Sequence, residues 1–224
     1  MHRGMGEITE MYLDGSARLD CPSNLIPSPG QYLHAHAGAS DLPLPVPVYF
    51  YDSAPQGFRI APPYPSNWTI GSKLALRGPL GRGFSIPATS RKVGLVAFDE
   101  TPARLHGLIP HALKNQMEIV LVCNSPADDM PEDVEVQPLQ ALEEICKWAD
   151  FIAIDVAREH LEQLKVAASK QWQLSAVREA QILIRAPMPC GGLAECSVCA
   201  VGTHYDWQMA CKDGPVFTLK DVIK

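Results

Sequence analysis

Apolar and polar positions change rhythm near residue 90. Before it, short apolar stretches such as Pro47-Val48-Tyr49-Phe50-Tyr51 and Lys73-Leu74-Ala75-Leu76 alternate with turn-forming residues, and more than half of the 20 prolines fall in this part. Short strands punctuated by Pro and Gly predict a small antiparallel barrel over residues 1–88. From Arg91 onward, apolar runs of strand length alternate with segments of helical spacing. Residues 92–98, 118–123 and 150–154 read as buried strands, and residues 101–115, 139–148 and 158–168 as helices. That alternation predicts a parallel sheet with helices on its faces, a Rossmann-like domain over residues 89–180. Residues 181–189 read as one more strand, leading into a cysteine-rich third division, 181–224.

This last division holds the clearest chemistry. Four of the seven cysteines, Cys190, Cys196, Cys199 and Cys211, occur at spacing C-x5-C-x2-C-x11-C. Four thiolates at short spacing suit a tetrahedral zinc ion or an iron–sulfur cluster. Structural zinc sites usually present two short Cys knuckles, whereas here three cysteines share a loop and the fourth arrives alone. The arrangement is the plant-type [2Fe–2S] spacing with one residue added. Gly191 and Gly192 fit a loop whose backbone N–H groups turn toward sulfur. Zinc and paired disulfides remain the competing readings. Residues 200–203 and 205–210 read as a hairpin returning Cys211 to the loop, with Tyr205 and Trp207 expected in its core. Cys21, Cys123 and Cys146 lie apart and read as reduced, buried thiols.

Charge and length narrow the picture further. A chain of 224 residues with 46% hydrophobic positions can fill more than one core. A net charge of −6 with scattered basic residues gives no electrostatic footprint for nucleic acid. No apolar run is long enough to span a membrane and the N-terminus lacks a signal-like segment, so a cytoplasmic location is expected. His34 and His36 alternate on one strand face; with no third ligand near in sequence they are expected to pack rather than bind a metal. Residues 128–133, rich in Asp and Glu, read as a solvated loop.

The stretch from Met188-Pro189-Cys190-Gly191-Gly192 through Cys211-Lys212-Asp213-Gly214-Pro215-Val216-Phe217 resembles the cluster domain of the electron-transfer subunit of NAD-linked dihydroorotate dehydrogenase. Two earlier stretches carry the same resemblance: Ser28-Pro29-Gly30-Gln31-Tyr32, and Gly78-Pro79-Leu80-Gly81-Arg82-Gly83-Phe84. The resemblance implies an α+β, ferredoxin-reductase-like multidomain design: a flavin barrel, a nicotinamide-binding α/β domain and a [2Fe–2S] domain. It also implies the four cysteines as cluster ligands, an oxidoreductase complex of pyrimidine biosynthesis, and a hetero-oligomer with a flavin-dependent dehydrogenase as partner.

This chain departs from that family at both nucleotide sites. The family's flavin strand carries an arginine for the flavin diphosphate; here the strand is Val46-Pro47-Val48-Tyr49-Phe50-Tyr51-Asp52, without arginine. Tyr49, Tyr51, Gly78 and Gly81 are the positions that would contact FAD if it is kept. The first turn of the α/β domain, Phe98-Asp99-Glu100-Thr101-Pro102, has no glycine to admit a diphosphate. Its carboxylates are expected to cap the following helix and to repel a phosphate. The family's later Cys-Gly-Pro is replaced by Ile154-Asp155-Val156-Ala157, so no NAD is expected. The resulting expectation is a non-catalytic electron-transfer subunit that relays single electrons through a [2Fe–2S] cluster. Two alternatives stand beside it: an FAD-containing subunit with an unusual flavin site, and a non-redox subunit stapled by zinc or a vestigial cluster.

Overall fold

The computed structural model describes residues 1–38, 44–99, 101–125, 127, 130–172 and 177–223. Six antiparallel strands close into a barrel: β1 (His2–Met11), β2 (Ala17–Asp20), β3 (Tyr32–His36), β4 (Val46–Ala54), β5 (Gly57–Ile60) and β6 (Lys73–Leu80), in spatial order β1-β2-β5-β4-β3-β6. Alternation fills the barrel. Leu33 and Ala35 of β3, Val48 and Phe50 of β4, and Leu74 and Leu76 of β6 pack into one interior cluster with Ile8, Leu19 and Phe58. The intervening residues point outward. Yet outward-facing Tyr32, His34, Tyr49 and Tyr51 are also buried, because the rest of the chain covers that side of the barrel.

The remainder builds a six-stranded sheet in the order β14-β11-β10-β7-β8-β9. Strands β7 (Lys92–Ala97), β8 (Glu118–Val122), β9 (Val134–Gln137), β10 (Phe151–Ala157) and β11 (Glu179–Arg185) run parallel, and β14 (Val216–Thr218) joins β11 antiparallel. All seven residues of β10 are buried, as a central parallel strand with both faces covered requires. Strand β9, with two exposed positions among its four, and β14, three residues long, carry too short a pattern to announce themselves in the sequence. The division expected between residues 180 and 181 falls inside β11, which is paired on both sides within this sheet.

The helices are shorter than their periodicity suggests. Residues 101–115 form two helices, α1 (Ala103–His106) and α2 (Ile109–Lys114), broken at Gly107 and Leu108. Pro110 at the start of α2 has no N–H for the carbonyl four residues back, His106, and α1 ends there. Gly107 lets the break pack close to the barrel, where a side chain would come within 2.6 Å of the Phe50 ring and 2.9 Å of Pro29. Residues 139–141 and 158–160 are 3-10 turns leading into α3 (Leu142–Trp148) and α4 (Leu161–Ala167). A hairpin of β12 (Ala200–Gly202) and β13 (Trp207–Met209) follows the cysteine loop, and α5 (Leu219–Val222) comes after β14. Among the described residues no helix is long and apolar enough to cross a membrane.

The three stretches that carry the family resemblance meet in one joint. Arg82 N–H donates to the Gly214 carbonyl at 2.6 Å, and Phe84 N–H donates to the Pro29 carbonyl at 2.9 Å. A Cβ at Gly30 would strike Val216 and Phe84; one at Gly81 would lie 2.4 Å from Pro215 and 2.7 Å from the Gly214 carbonyl. Gly81 has φ 73°, and Gly78 packs against Leu33 inside the barrel wall. These glycines hold the barrel against the C-terminal segment.

Candidate cluster site and the adjoining cleft

The cysteine loop lies against the outside of the barrel. The Tyr32 hydroxyl donates to the Cys211 carbonyl at 3.1 Å, tying β3 to the fourth cysteine. Gly191 and Gly192 take φ 70° and 78°, and Ala194 and Ser197 take φ 61° and 55°, so four left-handed residues wind the loop between Cys190 and Cys199. Two glycines make such winding inexpensive; at Ala194 and Ser197 it persists because the surrounding loop holds it. The Ala210 N–H donates to the Cys199 carbonyl at 3.0 Å, and Met209 and Asp213 close the turn around Cys211.

The four thiols gather as two couples. Cys196 lies near enough to act on the ionisation of Cys190, and Cys199 near enough to act on that of Cys211. The backbone of Ala194 reaches both Cys190 and Cys211, so the couples face one short piece of loop. Burial opposes ionisation of Cys190, but Cys196 and the backbone N–H groups of Leu193, Glu195 and Ala194 outweigh it and bring the thiol down to about 6. Burial and the neighbouring Cys199 push Cys211 up to about 12, against the Ala194 N–H. Cys199 and Cys211 are buried while Cys196 is exposed. Among the described residues no three of His, Cys, Asp or Glu converge as a single metal ion requires. A [2Fe–2S] cluster would instead take the four thiolates two to each iron. Donor type, pairing and inward N–H groups fit a [2Fe–2S] centre.

Around this loop Leu193, Val198, Tyr205 and Trp207 are exposed. Tyr205 and Trp207 therefore do not form a hairpin core: Tyr205 sits in the turn between the two short strands and Trp207 at the start of the second, both exposed. Cys21, Cys123 and Cys146 are free and stand apart from the loop; burial raises the first to about 11 and the last to about 12.

A cleft of about 400 Å³ opens between barrel and α/β domain. Tyr49, Tyr64, Arg104 and Arg185 line it together with prolines from both sides. Tyr49 is buried and its hydroxyl has no hydrogen-bond partner, an expensive state for a phenol that burial keeps neutral. Tyr51 lies elsewhere, edge-on to His106 and beneath the Arg59 guanidinium. Gly78 and Gly81 do not line the cleft; packing dictates both.

Below the cleft the sheet changes direction. Strand β7 is flanked by β8 on one side and β10 on the other, and open α/β sheets bind nucleotides outside the carboxyl ends of the strands at such a point. Four charged side chains occupy it. Asp155 of β10 accepts from Arg104 at 2.7 Å and from Arg185 at 2.9 Å, and Arg185 also pairs with Asp99. Asp99 further accepts the Ala157 N–H at 2.6 Å and meets His160 Nδ1 at 2.9 Å. It does not cap α1, contrary to the sequence expectation: its carboxylate is taken by Arg185, His160 and the Ala157 N–H, and α1 has no side-chain cap. Glu100, Asp128 and Asp129 lie outside the described residues. Local sequence had no signal for this network, since its members come from the turn after β7, α1, β10 and β11.

No protein-family model matches the chain. A curated relative, the gamma subunit of sulfhydrogenase 1 from Pyrococcus furiosus, is 50% identical over 36 residues, which is 16% of this chain and 12% of that subunit. Among solved structures, an NADH-dependent reduced ferredoxin–NADP oxidoreductase studied for flavin-based electron bifurcation superposes with TM-score 0.76 at 18% identity, covering 98% of this chain and 90% of that one. The ferredoxin reductase of carbazole 1,9a-dioxygenase gives 0.60 at 17% identity, over 82% of this chain and 68% of that one. A ferredoxin–NADP+ reductase from Neisseria gonorrhoeae with bound FAD and NADP gives 0.57 at 9% identity, over 82% and 98%. A closed six-stranded barrel followed by a Rossmann-like sheet, superposing at this level, is the ferredoxin-reductase-like fold.

Proposed function

We propose that this chain is an electron-transfer subunit in which Cys190, Cys196, Cys199 and Cys211 hold a [2Fe–2S] cluster and relay single electrons to or from a flavin dehydrogenase of the dihydroorotate dehydrogenase type. The observation that carries the reading is the gathering of four thiols as two couples about Ala194. Such a cluster supplies a one-electron carrier whose potential responds to hydrogen bonds and burial. The chain's own groups act on it in distinct ways. The N–H groups of Leu193, Ala194 and Glu195 stabilise negative charge on the Cys190 sulfur, and burial of Cys199 and Cys211 keeps water from their side. Exposed Cys196 and Leu193 face outward, where short distance favours electron exchange with a partner. At the sheet's nucleotide position Asp99 and Asp155 are engaged with Arg104, Arg185 and His160, and the first turn there lacks glycines, so the chain's electrons are assigned to a separate carrier rather than to a nicotinamide of its own.

The test is an anaerobic visible spectrum before and after dithionite, with electron paramagnetic resonance of the reduced sample and iron, sulfide and zinc analysis. Bands that bleach, with a rhombic S = 1/2 signal and about two irons per chain, are expected. A colourless protein carrying zinc, or one whose four thiols are oxidised in pairs, would overturn the reading.

One observation favours the FAD-containing alternative: the 400 Å³ cleft at the barrel edge, into which Tyr49 brings a hydroxyl without a partner. An isoalloxazine edge would satisfy that hydroxyl. Yellow colour that protein precipitation releases as FAD, and that Tyr49→Phe diminishes, supports this variant.

A further inference from the structure

On the barrel wall beside the cysteine loop, three neighbouring strands place cationic and imidazole side chains in one row. Arg3 of β1 is directly opposite Arg77 of β6, and Arg77 is directly opposite His34 of β3. Side chains so paired stand about 5 Å apart at Cβ, and like charges in that position repel. Neither arginine forms an ion pair among the described residues; the Arg77 side chain donates only to the Met1 sulfur. A cavity of about 270 Å³ lies over this row, lined by Arg3, Arg77, His34, His36 and Gly191 among others, with no acidic residue among the described residues of its lining.

The two histidines supply the second observation. His34 is 3% exposed, covered by the cysteine loop, and neither of its ring nitrogens has a hydrogen-bond partner among the described residues. The backbones of Met188 and Gly191 lie beside the ring without making a bond of ordinary geometry. In His36 the Gly38 N–H donates to Nδ1 at 3.1 Å, which leaves the ring proton on Nε2. That Nε2 is buried and has no acceptor among the described residues. Buried donors without acceptors and adjacent guanidinium groups without carboxylates are each unfavourable in an empty site. One ligand relieves all of them: a compact group with several acceptor oxygens and two negative charges.

We propose that Arg3, Arg77, His34 and His36 form a binding site for a phosphate group. Two guanidinium forks neutralise the dianion, and imidazole donors from β3 approach from another direction. A carboxylate, with two oxygens and one charge, leaves part of this donor set unused. The cavity exceeds the volume of a single phosphate, so both inorganic phosphate and a phosphomonoester are admitted. Gly191 walls the site, so occupancy also braces the loop that carries Cys190. The proposal stands apart from what the cysteines hold.

Isothermal titration calorimetry and thermal unfolding of the full chain, at constant ionic strength set with chloride, test it with two ligands, inorganic phosphate and AMP. Saturable 1:1 binding that raises the unfolding midpoint is expected, with Arg77→Gln and Arg3→Gln each weakening it at least tenfold. Tighter binding of AMP would assign the site to a phosphomonoester, and equal or weaker binding to the free ion. Arg3 is exposed, so Arg3→Gln keeps the fold and decides the matter should Arg77→Gln unfold. Absence of saturable binding of both ligands, or unchanged affinity in Arg3→Gln, overturns the proposal.

Discussion

At the scale of single residues, the sharpest consequences come from groups buried in one ionisation state. His34 in an unfolded chain takes up a proton near pH 6.5. In the folded protein burial, reinforced by Arg77, depresses it to about 4. Between those values the unfolded chain binds the proton and the folded one does not. Stability contributed by neutral His34 is thus complete above pH 6.5 and lost as pH falls toward 4, by up to about 3 kcal/mol. In phosphate-free buffer, urea unfolding of His34→Gln should show a flatter pH dependence than the parent across that window. Asp155 is a second case: it is 1% exposed and accepts from two arginines. Asp155→Asn removes the shared counter-charge and leaves both guanidinium groups beneath the cleft, which should cost about 3–5 kcal/mol in chemical denaturation. For the cysteines, Cys199→Ser is expected to remove or strongly alter the visible spectrum while far-ultraviolet circular dichroism is kept, since barrel and sheet cores do not depend on that sulfur. An unchanged spectrum would count against Cys199 as a ligand.

At the scale of elements, the joint between the end of β6 and the turn before β14 decides where the cysteine loop sits. Gly81 combines φ 73° with a backbone neighbour 2.7 Å from its would-be Cβ. Gly81→Ala therefore meets strain and a clash at once, and should cost about 1–3 kcal/mol by urea unfolding. The hairpin behaves differently. Trp207 is 68% exposed and Tyr205 89%, so serine at either position should move stability by less than about 0.5 kcal/mol. Strand and helix identities followed the apolar rhythm wherever the runs were long, as in β7, β8 and β10. That rhythm missed the break at Gly107, although Pro110, which cannot donate to the His106 carbonyl, marks it in the sequence. It missed β14 for a different reason: three residues offer no period, and only pairing with β11 makes them a strand.

At the scale of the whole molecule, the C-terminal segment is structural as well as chemical. Val216, Phe217, Leu219 and Val222 join the core that contains β10 and β11. A chain ending at Ala186 should lose cooperative unfolding, because β11 becomes an edge strand with its apolar face exposed; size-exclusion chromatography and thermal circular dichroism would report this. By itself the sequence determined the barrel, the alternating sheet and the four-cysteine loop, because each rests on a period or spacing that neighbouring residues carry. Its expectation that the first turn of the α/β domain rejects a diphosphate rests on the missing glycines and on Asp99 alone. Only the tertiary structure decided that Asp99 pairs with Arg185 instead of capping a helix, and that the thiols gather as two couples. It alone brought Arg3, Arg77 and His34 into one row under Gly191. Those arrangements join residues far apart in the chain, where strand register and burial, rather than local preference, set which groups meet.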